Sequence, residues 1–236
     1  MSARQEPTID VVIPAYNEES SLPLVLDALR STGVRRVVVA DNNSRDGTAA
    51  AAAAGGAEVV RAERQGYGSA CLAGLAHLRS TGPPEIVVFV DADYSDHPEE
   101  LPMLVEPVAA GRADLVIGSR VLGRREPGAL LPQARAGNAV AVLLIRLLYG
   151  HRFTDMGPFR AVRWSSLQRL GMRDPDFGWT AEMQVKALRR GLTVLEVPVS
   201  YRRRVGVSKI TGTVSGTLRA GYKILSTILL YAWRRA

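Results

Sequence analysis

The chain has 236 residues, 47% of them apolar, which is enough to bury the core of one α/β domain with or without a C-terminal extension. The lone cysteine, Cys71, excludes an internal disulfide and fits a reducing compartment, and no basic-then-apolar secretory signal opens the chain. The net charge of +7 is lopsided: Glu196 is the last acid, eight Lys and Arg follow it, and the first 196 residues sum to −1, so the basicity of the tail calls for an anionic partner such as phosphate or anionic lipid.

In chain order, a β-branched run over 9–13 predicts a strand and helical apolar spacing over 20–29 a helix. A strand is expected over 36–40, and an alanine-rich helix over 48–54 stops at Gly55-Gly56. A strand over 57–60, a helix over 68–79, a strand over 86–90, a helix over 98–110 and a strand over 115–117 continue the alternation. Such alternation implies right-handed crossovers and a mainly parallel sheet, whose ligands bind at the carboxyl ends of the strands. The longest strongly apolar stretch, residues 139–148, carries Arg146. It falls well short of the roughly 20 apolar residues a bilayer span needs.

The strand ends carry the chemistry. The first runs into Pro14-Ala15-Tyr16-Asn17-Glu18-Glu19, where Tyr16 can stack on a base and Glu18 can accept hydrogen bonds from a base or ribose. The second ends in Asp41-Asn42-Asn43-Ser44-Arg45-Asp46-Gly47-Thr48, which is equally the composition of a tight turn. The third ends near Gly66-Tyr67-Gly68, where phosphate or ribose can approach the backbone. The fourth ends in Asp91-Ala92-Asp93, two carboxylates held by a buried strand. Hard cations such as Mg2+ or Mn2+ take one or two carboxylates plus substrate phosphates. Four successive strand ends with binding chemistry outweigh any one of them.

Taken together, these motifs resemble family 2 glycosyltransferases of the GT-A fold, and within them the dolichyl- or polyprenyl-phosphate mannose and glucose synthases. The likeness continues through Gly118-Ser119-Arg120, Asp155-Met156-Gly157-Pro158-Phe159-Arg160 and Ser208-Lys209, and covers residues 8–210. It implies that Pro14, Ala15, Tyr16 and Glu18 hold base and ribose, that Asp41 reaches the base, and that Asn43 and Gly66 belong to the same nucleotide-sugar site. It further implies that Asp91 contacts the sugar nucleotide, that Asp93 binds the metal on the diphosphate, and that Arg120 lies near the acceptor phosphate. Asp155 matches the acid near the transferred sugar. Arg202, Arg204, Ser208 and Lys209 fall among the phosphate-binding residues. Two departures stand out: a proline, Pro158, within the usual Gly-Phe-Arg, and no pair of C-terminal transmembrane helices.

The implied reaction is inverting transfer of a hexose from a nucleoside-diphosphate sugar, of the UDP-glucose or GDP-mannose type, to polyprenyl phosphate. A phosphate acceptor is already an anion and needs cations more than a base. A hydroxyl acceptor needs a carboxylate base, for which Asp155 and Glu182 are the candidates; Glu182 on its helix equally suits a solvent-facing position. Trp179 is expected to pack, His77 to be structural or exposed, and Cys71 to fill core space. From another class, a non-catalytic sugar-nucleotide-binding regulator is the alternative.

Residues 1–211 are expected to form the GT-A domain and 212–236 a basic amphipathic helix. Its stripe of Val214, Leu218, Tyr222, Leu225, Leu229 and Trp233 suits an anionic membrane surface, the domain itself or a second subunit in a homo-oligomer. The expected location is cytoplasmic, peripheral at the inner face of the plasma membrane. The arginines of the tail lack interleaved aromatics, so no nucleic-acid partner is expected.

Overall fold

The structure, a computed structural model, describes residues 6–206 and 214–233. Its first elements are β1 (Ile9–Ala15), α1 (Leu22–Leu29), β2 (Arg36–Asp41), α2 (Thr48–Ala54), β3 (Glu58–Arg61), α3 (Tyr67–Thr81) and β4 (Ile86–Phe89). A single 3-10 turn (Pro98–Glu100) leads into α4 (Leu101–Ala109), followed by β5 (Leu115–Ser119) and α5 (Pro132–Tyr149). The chain continues through β6 (Arg160–Arg163), α6 (Trp164–Leu170), α7 (Trp179–Arg189), β7 (Val194–Pro198) and α8 (Val214–Trp233). Every element expected up to residue 117 forms, with ends shifted by a residue or two, except that the 98–110 helix splits into the 3-10 turn and α4.

The strands make one sheet in the order β3-β2-β1-β4-β6-β5-β7. All pairings are parallel except those of β6, which runs antiparallel to both β4 and β5. This is the α/β GT-A arrangement. The central strands are buried on both faces, hence their continuous apolar runs. Val12, Val38, Val87 and Phe89 point into a layer with α3, α5, α6 and α7, while Val11, Ile13, Val39 and Val88 point into a layer with α1 and α4. Each fully buried side chain of this size contributes about 1.5–3 kcal/mol. Trp179 packs edge-on against Phe89 with ring centroids 5.9 Å apart, and Cys71 is a buried core residue.

The last helix joins this core. Ile228 of α8 is fully buried, and its carbonyl accepts the Tyr149 hydroxyl at 2.7 Å. The Tyr231 hydroxyl donates to Glu182 at 2.8 Å, and Lys223 pairs with Asp174 at 3.0 Å. Bonds from α8 to α5, α7 and the 174–177 loop therefore cross the expected division at residue 211. Of the predicted stripe, Leu225 packs against the core, whereas Leu218, Tyr222, Leu229 and Trp233 stay exposed, Trp233 at 83%. The side chain of Val214 lies outside the described residues. Among the described residues no helix is long and apolar enough to cross a membrane.

Candidate active site

The loops after β1 and β2 are bound into one unit at the carboxyl edge of the sheet. The Asn17 amide donates to Ser44 Oγ at 2.9 Å, and Asn17 Oδ1 accepts the Arg45 amide at 2.8 Å. The Glu18 amide donates to Thr48 Oγ1 at 2.8 Å. Asn17 and Asn43 take left-handed backbone conformations, which asparagine tolerates better than most residues. These bonds hold Pro14, Ala15, Tyr16 and Glu18 along one side of a cavity of about 400 Å³. Gly66, Asp91, Asp93 and Arg204 also line it.

Two predicted residues are used elsewhere. Asp41 Oδ1 accepts the Ser44 amide at 3.1 Å, and the Asn43 amide donates to the Ala62 carbonyl at 2.9 Å; neither lines the cavity. Asn42 does, bonded to the Gly66 amide at 2.8 Å and its carbonyl at 3.0 Å. The glycines around Tyr67 make room for protein. A Cβ on Gly66 would sit 2.2 Å from the Pro175 carbonyl oxygen, and one on Gly68 2.0 Å from that of Asp174. The Ser69 amide donates to that Pro175 oxygen at 2.8 Å. The start of α3 is thus closed by the 174–175 backbone, and the cavity gains Asp176 and Phe177 from the same loop.

The acids after β4 differ from one another. Asp93 Oδ1 accepts the Ser95 amide at 2.9 Å and its hydroxyl at 2.5 Å, while Oδ2 lies 3.1 Å from Arg204. Arg204 also reaches Glu18 at 3.2 Å. Asp91 accepts the Tyr67 hydroxyl at 3.0 Å; burial first and the Asp93 charge second raise its pKa to about 7. Asp96 is fully buried, and neither carboxylate oxygen has a hydrogen-bond partner among the described residues. Burial first, then its acidic neighbours Asp91 and Asp93, raise its pKa well above the ordinary carboxylate range. Tyr94, between them, is left-handed with φ 58, a costly conformation for an aromatic residue. The Arg202 guanidinium covers its ring at 3.8 Å and bonds the Asp96 carbonyl at 3.2 Å.

These carboxylates suit a hard divalent cation. Asp93 faces the cavity, Asp91 lies beside it, and the donor set is oxygen only. Among the described residues no group of three or more His, Cys, Asp and Glu gathers to hold a metal ion. The ion would therefore complete its shell with diphosphate oxygens and water. His97 bonds Glu99 at 2.8 Å, and His77 bonds Glu58.

The residues expected on the acceptor side form a second constellation. Asp155, fully buried, accepts Arg120 through Nε and Nη2, both at 2.8 Å, and through the Arg120 amide at 2.8 Å. Arg120 lies over the Tyr201 ring at 5.1 Å. Neither Asp155 nor Arg120 lines the cavity. Glu182 is fully buried and not solvent-facing: it accepts the Arg173 amide at 3.0 Å, the Asp174 amide at 2.7 Å and Tyr231, and pairs with Lys186 at 2.5 Å. Both candidate bases are saturated with donors. Fully buried Arg160 donates to the carbonyls of Gly157 and Met156, and to that of Thr180 at 3.1 Å, so it braces the loop that contains Pro158. Ser208 and Lys209 lie outside the described residues.

A parallel sheet with one reversed strand, and a cavity lined by acids at its strand ends, define the GT-A class of sugar-transferring enzymes. The family model described as glycosyl transferase family 2 matches residues 10–171, and the chain belongs to that family. It is a glycosyltransferase. It is 42% identical over 215 residues to an uncharacterized glycosyltransferase of Mycobacterium tuberculosis, covering 90% of this chain and 94% of the relative. It is 35% identical over 221 residues to an undecaprenyl-phosphate mannosyltransferase of Micrococcus luteus, covering 87% and 88%. Glucosyl-3-phosphoglycerate synthase of Mycobacterium tuberculosis, solved with Mn2+, UDP and glucosyl-3-phosphoglycerate, superposes with a TM-score of 0.75 at 25% identity, covering 98% of this chain and 81% of that one.

Proposed function

We propose that this glycosyltransferase moves a hexose, with inversion, from a nucleoside-diphosphate sugar to a polyprenyl phosphate at a membrane surface. The observation that carries the reading is the cavity itself, where Tyr16, Glu18, Asp91, Asp93 and Arg204 line one space of about 400 Å³. A Mg2+ or Mn2+ ion at Asp93 would neutralise charge developing on the leaving diphosphate. Tyr16 and Glu18 bind base and ribose. The Tyr67 hydroxyl orients Asp91 toward the sugar. With a cation at Asp93, Arg204 would be available to pair with phosphate oxygens.

For the acceptor, the saturation of Asp155 and Glu182 favours a nucleophile that needs no base, which a phosphate is. Exposed Val140, Leu143 and Leu147 on α5, with Leu218, Tyr222, Leu229 and Trp233 on α8, support contact with lipid. The relative from Micrococcus luteus, and a polyprenol monophosphomannose synthase of Mycolicibacterium smegmatis that is 33% identical over 220 residues, point to the same acceptor class. A soluble hydroxyl acceptor is the second reading. It is favoured by Asp91, whose pKa of about 7 suits a general base, and by the small molecule, glucosyl-3-phosphoglycerate, bound to the solved structural neighbour.

Purified enzyme, offered GDP-mannose and UDP-glucose with Mn2+ or Mg2+, separates these readings by nucleoside diphosphate release with and without polyprenyl phosphate. Release stimulated by the lipid is expected; release stimulated only by a soluble alcohol would reverse the acceptor assignment. Asp93→Ala is expected to lower turnover at least 100-fold, and retained activity would remove the metal from that residue.

A further inference from the structure

The cavity is short of available positive charge. Four acids, Glu18, Asp91, Asp93 and Asp176, and two arginines, Arg204 and Arg219, lie on its walls. Arg204 is committed to Glu18 and Asp93. Arg219 has no hydrogen-bond or ion-pair partner among the described residues, although it lines a cavity with four carboxylates. A guanidinium left unpaired at the edge of such a space is suited to an incoming anion.

The position of Arg219 is fixed by the bonds of α8. Lys223, one turn later on the same face, pairs with Asp174 at 3.0 Å, and Thr227 lies 3.5 Å from the same carboxylate. Asp174 is in turn locked: its amide donates to Glu182 at 2.7 Å, and its carbonyl lies where a Cβ on Gly68 would be. The helix is therefore tied to the loop that supplies Asp176 and Phe177, and Arg219 projects from a braced element, not from a free tail.

We infer that Arg219 binds a phosphate group in this cavity, which makes α8 a wall of the active site as well as a surface helix. The inference rests on the reading of the cavity as a nucleotide-sugar site. The phosphate belongs either to the donor diphosphate or to the acceptor, and guanidinium chemistry serves both. Arg219 supplies a fixed positive charge opposite the acids, independent of the metal at Asp93. With Arg204 drawn away from its carboxylates, the two arginines hold the anion from different sides.

The test uses the full chain and its Arg219→Ala, Arg219→Gln and Arg219→Lys variants. Arg219 is exposed and has no partner among the described residues, so all three should match the wild type in thermal unfolding; agreement between Ala and Gln guards against a local disturbance by either. Calorimetric titration with UDP, GDP and inorganic pyrophosphate in the presence of Mn2+ reads the donor arm. If the donor diphosphate is the partner, Ala and Gln should weaken nucleoside diphosphate and pyrophosphate binding by the same factor, about 10-fold or more, with Lys recovering part of the loss. If the acceptor is the partner, those affinities stay level, and the KM for polyprenyl phosphate should rise about 10-fold while the KM for the donor is unchanged. Either pattern supports the inference and identifies the phosphate. Affinities and both KM values within twofold of wild type would overturn it while leaving the donor site intact. A wild-type chain that binds neither nucleoside diphosphate nor pyrophosphate would overturn the donor reading and the inference with it.

Discussion

Two arginine–carboxylate constellations, about equally visible in the sequence, have opposite characters. Arg120 and Asp155 form a sealed pair: the acid is fully buried, three donors converge on it, and the cavity lies elsewhere. Arg204 bridges Glu18 and Asp93 at 3.1–3.2 Å on the cavity wall, with Arg204 partly exposed. Charge type does not distinguish them. What does is how many donors each acid already has and whether a ligand can compete for it. A saturated pair holds the fold, whereas an open pair can exchange a partner for a cation or a phosphate.

Breaking each pair should therefore give crossed results. Asp155→Ala leaves Arg120 buried without its acid, which costs about 3–5 kcal/mol. In a domain of this size the melting temperature should fall by about 10–15 °C. If thermal denaturation moves less than 2 °C while turnover collapses, Asp155 belongs with the chemistry and the contrast fails.

Asp91 sharpens the comparison through pH. Burial, and then the Asp93 charge, raise its pKa in the folded, metal-free protein to about 7, above the unfolded value of about 4. The folded state holds the proton more tightly, so its contribution to stability is complete below about pH 4 and is lost as pH rises toward 7. Melting curves without divalent cation should show this decline, on the order of 1–3 kcal/mol. Asp91→Asn should flatten it, and an unchanged slope would place the titration elsewhere.

The smallest stability change is expected at Arg204. It is a partly exposed pair, so Arg204→Ala should cost less than about 1 kcal/mol. Its effect on sugar transfer should be large, a fall in kcat of about 100-fold. Equal losses of stability and activity would erase the distinction between sealed and open pairs.

The first half of the sheet was readable because its strands are short, apolar and separated by helices of matching period. The second half hides itself. β6 carries two arginines in four residues, and Arg160 is fully buried because the carbonyls of nearby Gly157 and Met156 and of Thr180 accept its donors. α5 presents Val140, Leu143 and Leu147 to solvent, so its pattern does not mark an inward face. The cavity-lining residues Pro14, Ala15, Tyr16, Glu18, Gly66, Asp91 and Asp93 were legible because they lie at or within a few residues of the carboxyl ends of β1, β3 and β4. The choice of Asn43 over Asn42 missed by one position: both are turn residues, and only the fold shows which one faces the ligand space. Asp176, Phe177 and Arg219 come from segments without a local motif. The saturation of Asp155 depends on Arg120, 35 residues away, and that of Glu182 on backbone amides and Tyr231 as well as on its i+4 neighbour Lys186, so neither shows as a local motif.

The reversed strand has a consequence for the stretch that joins it to β5. Because β6 runs against its neighbours, the residues before it, not those after it, reach the working edge of the sheet. The stretch from Arg120 to Arg160 thus leaves that edge after β5 and returns to it before β6, carrying α5 and the Arg120–Asp155 pair as a cassette. Glu196 clasps it by accepting the Thr154 and Asp155 amides at 2.9–3.0 Å, and Gln184 does so by donating to the Asp155 carbonyl at 3.1 Å. Because both clasps end on residues 154 and 155, α5 and the loops around it hang from a short, firmly held return segment, and changes elsewhere in the stretch leave those clasps in place.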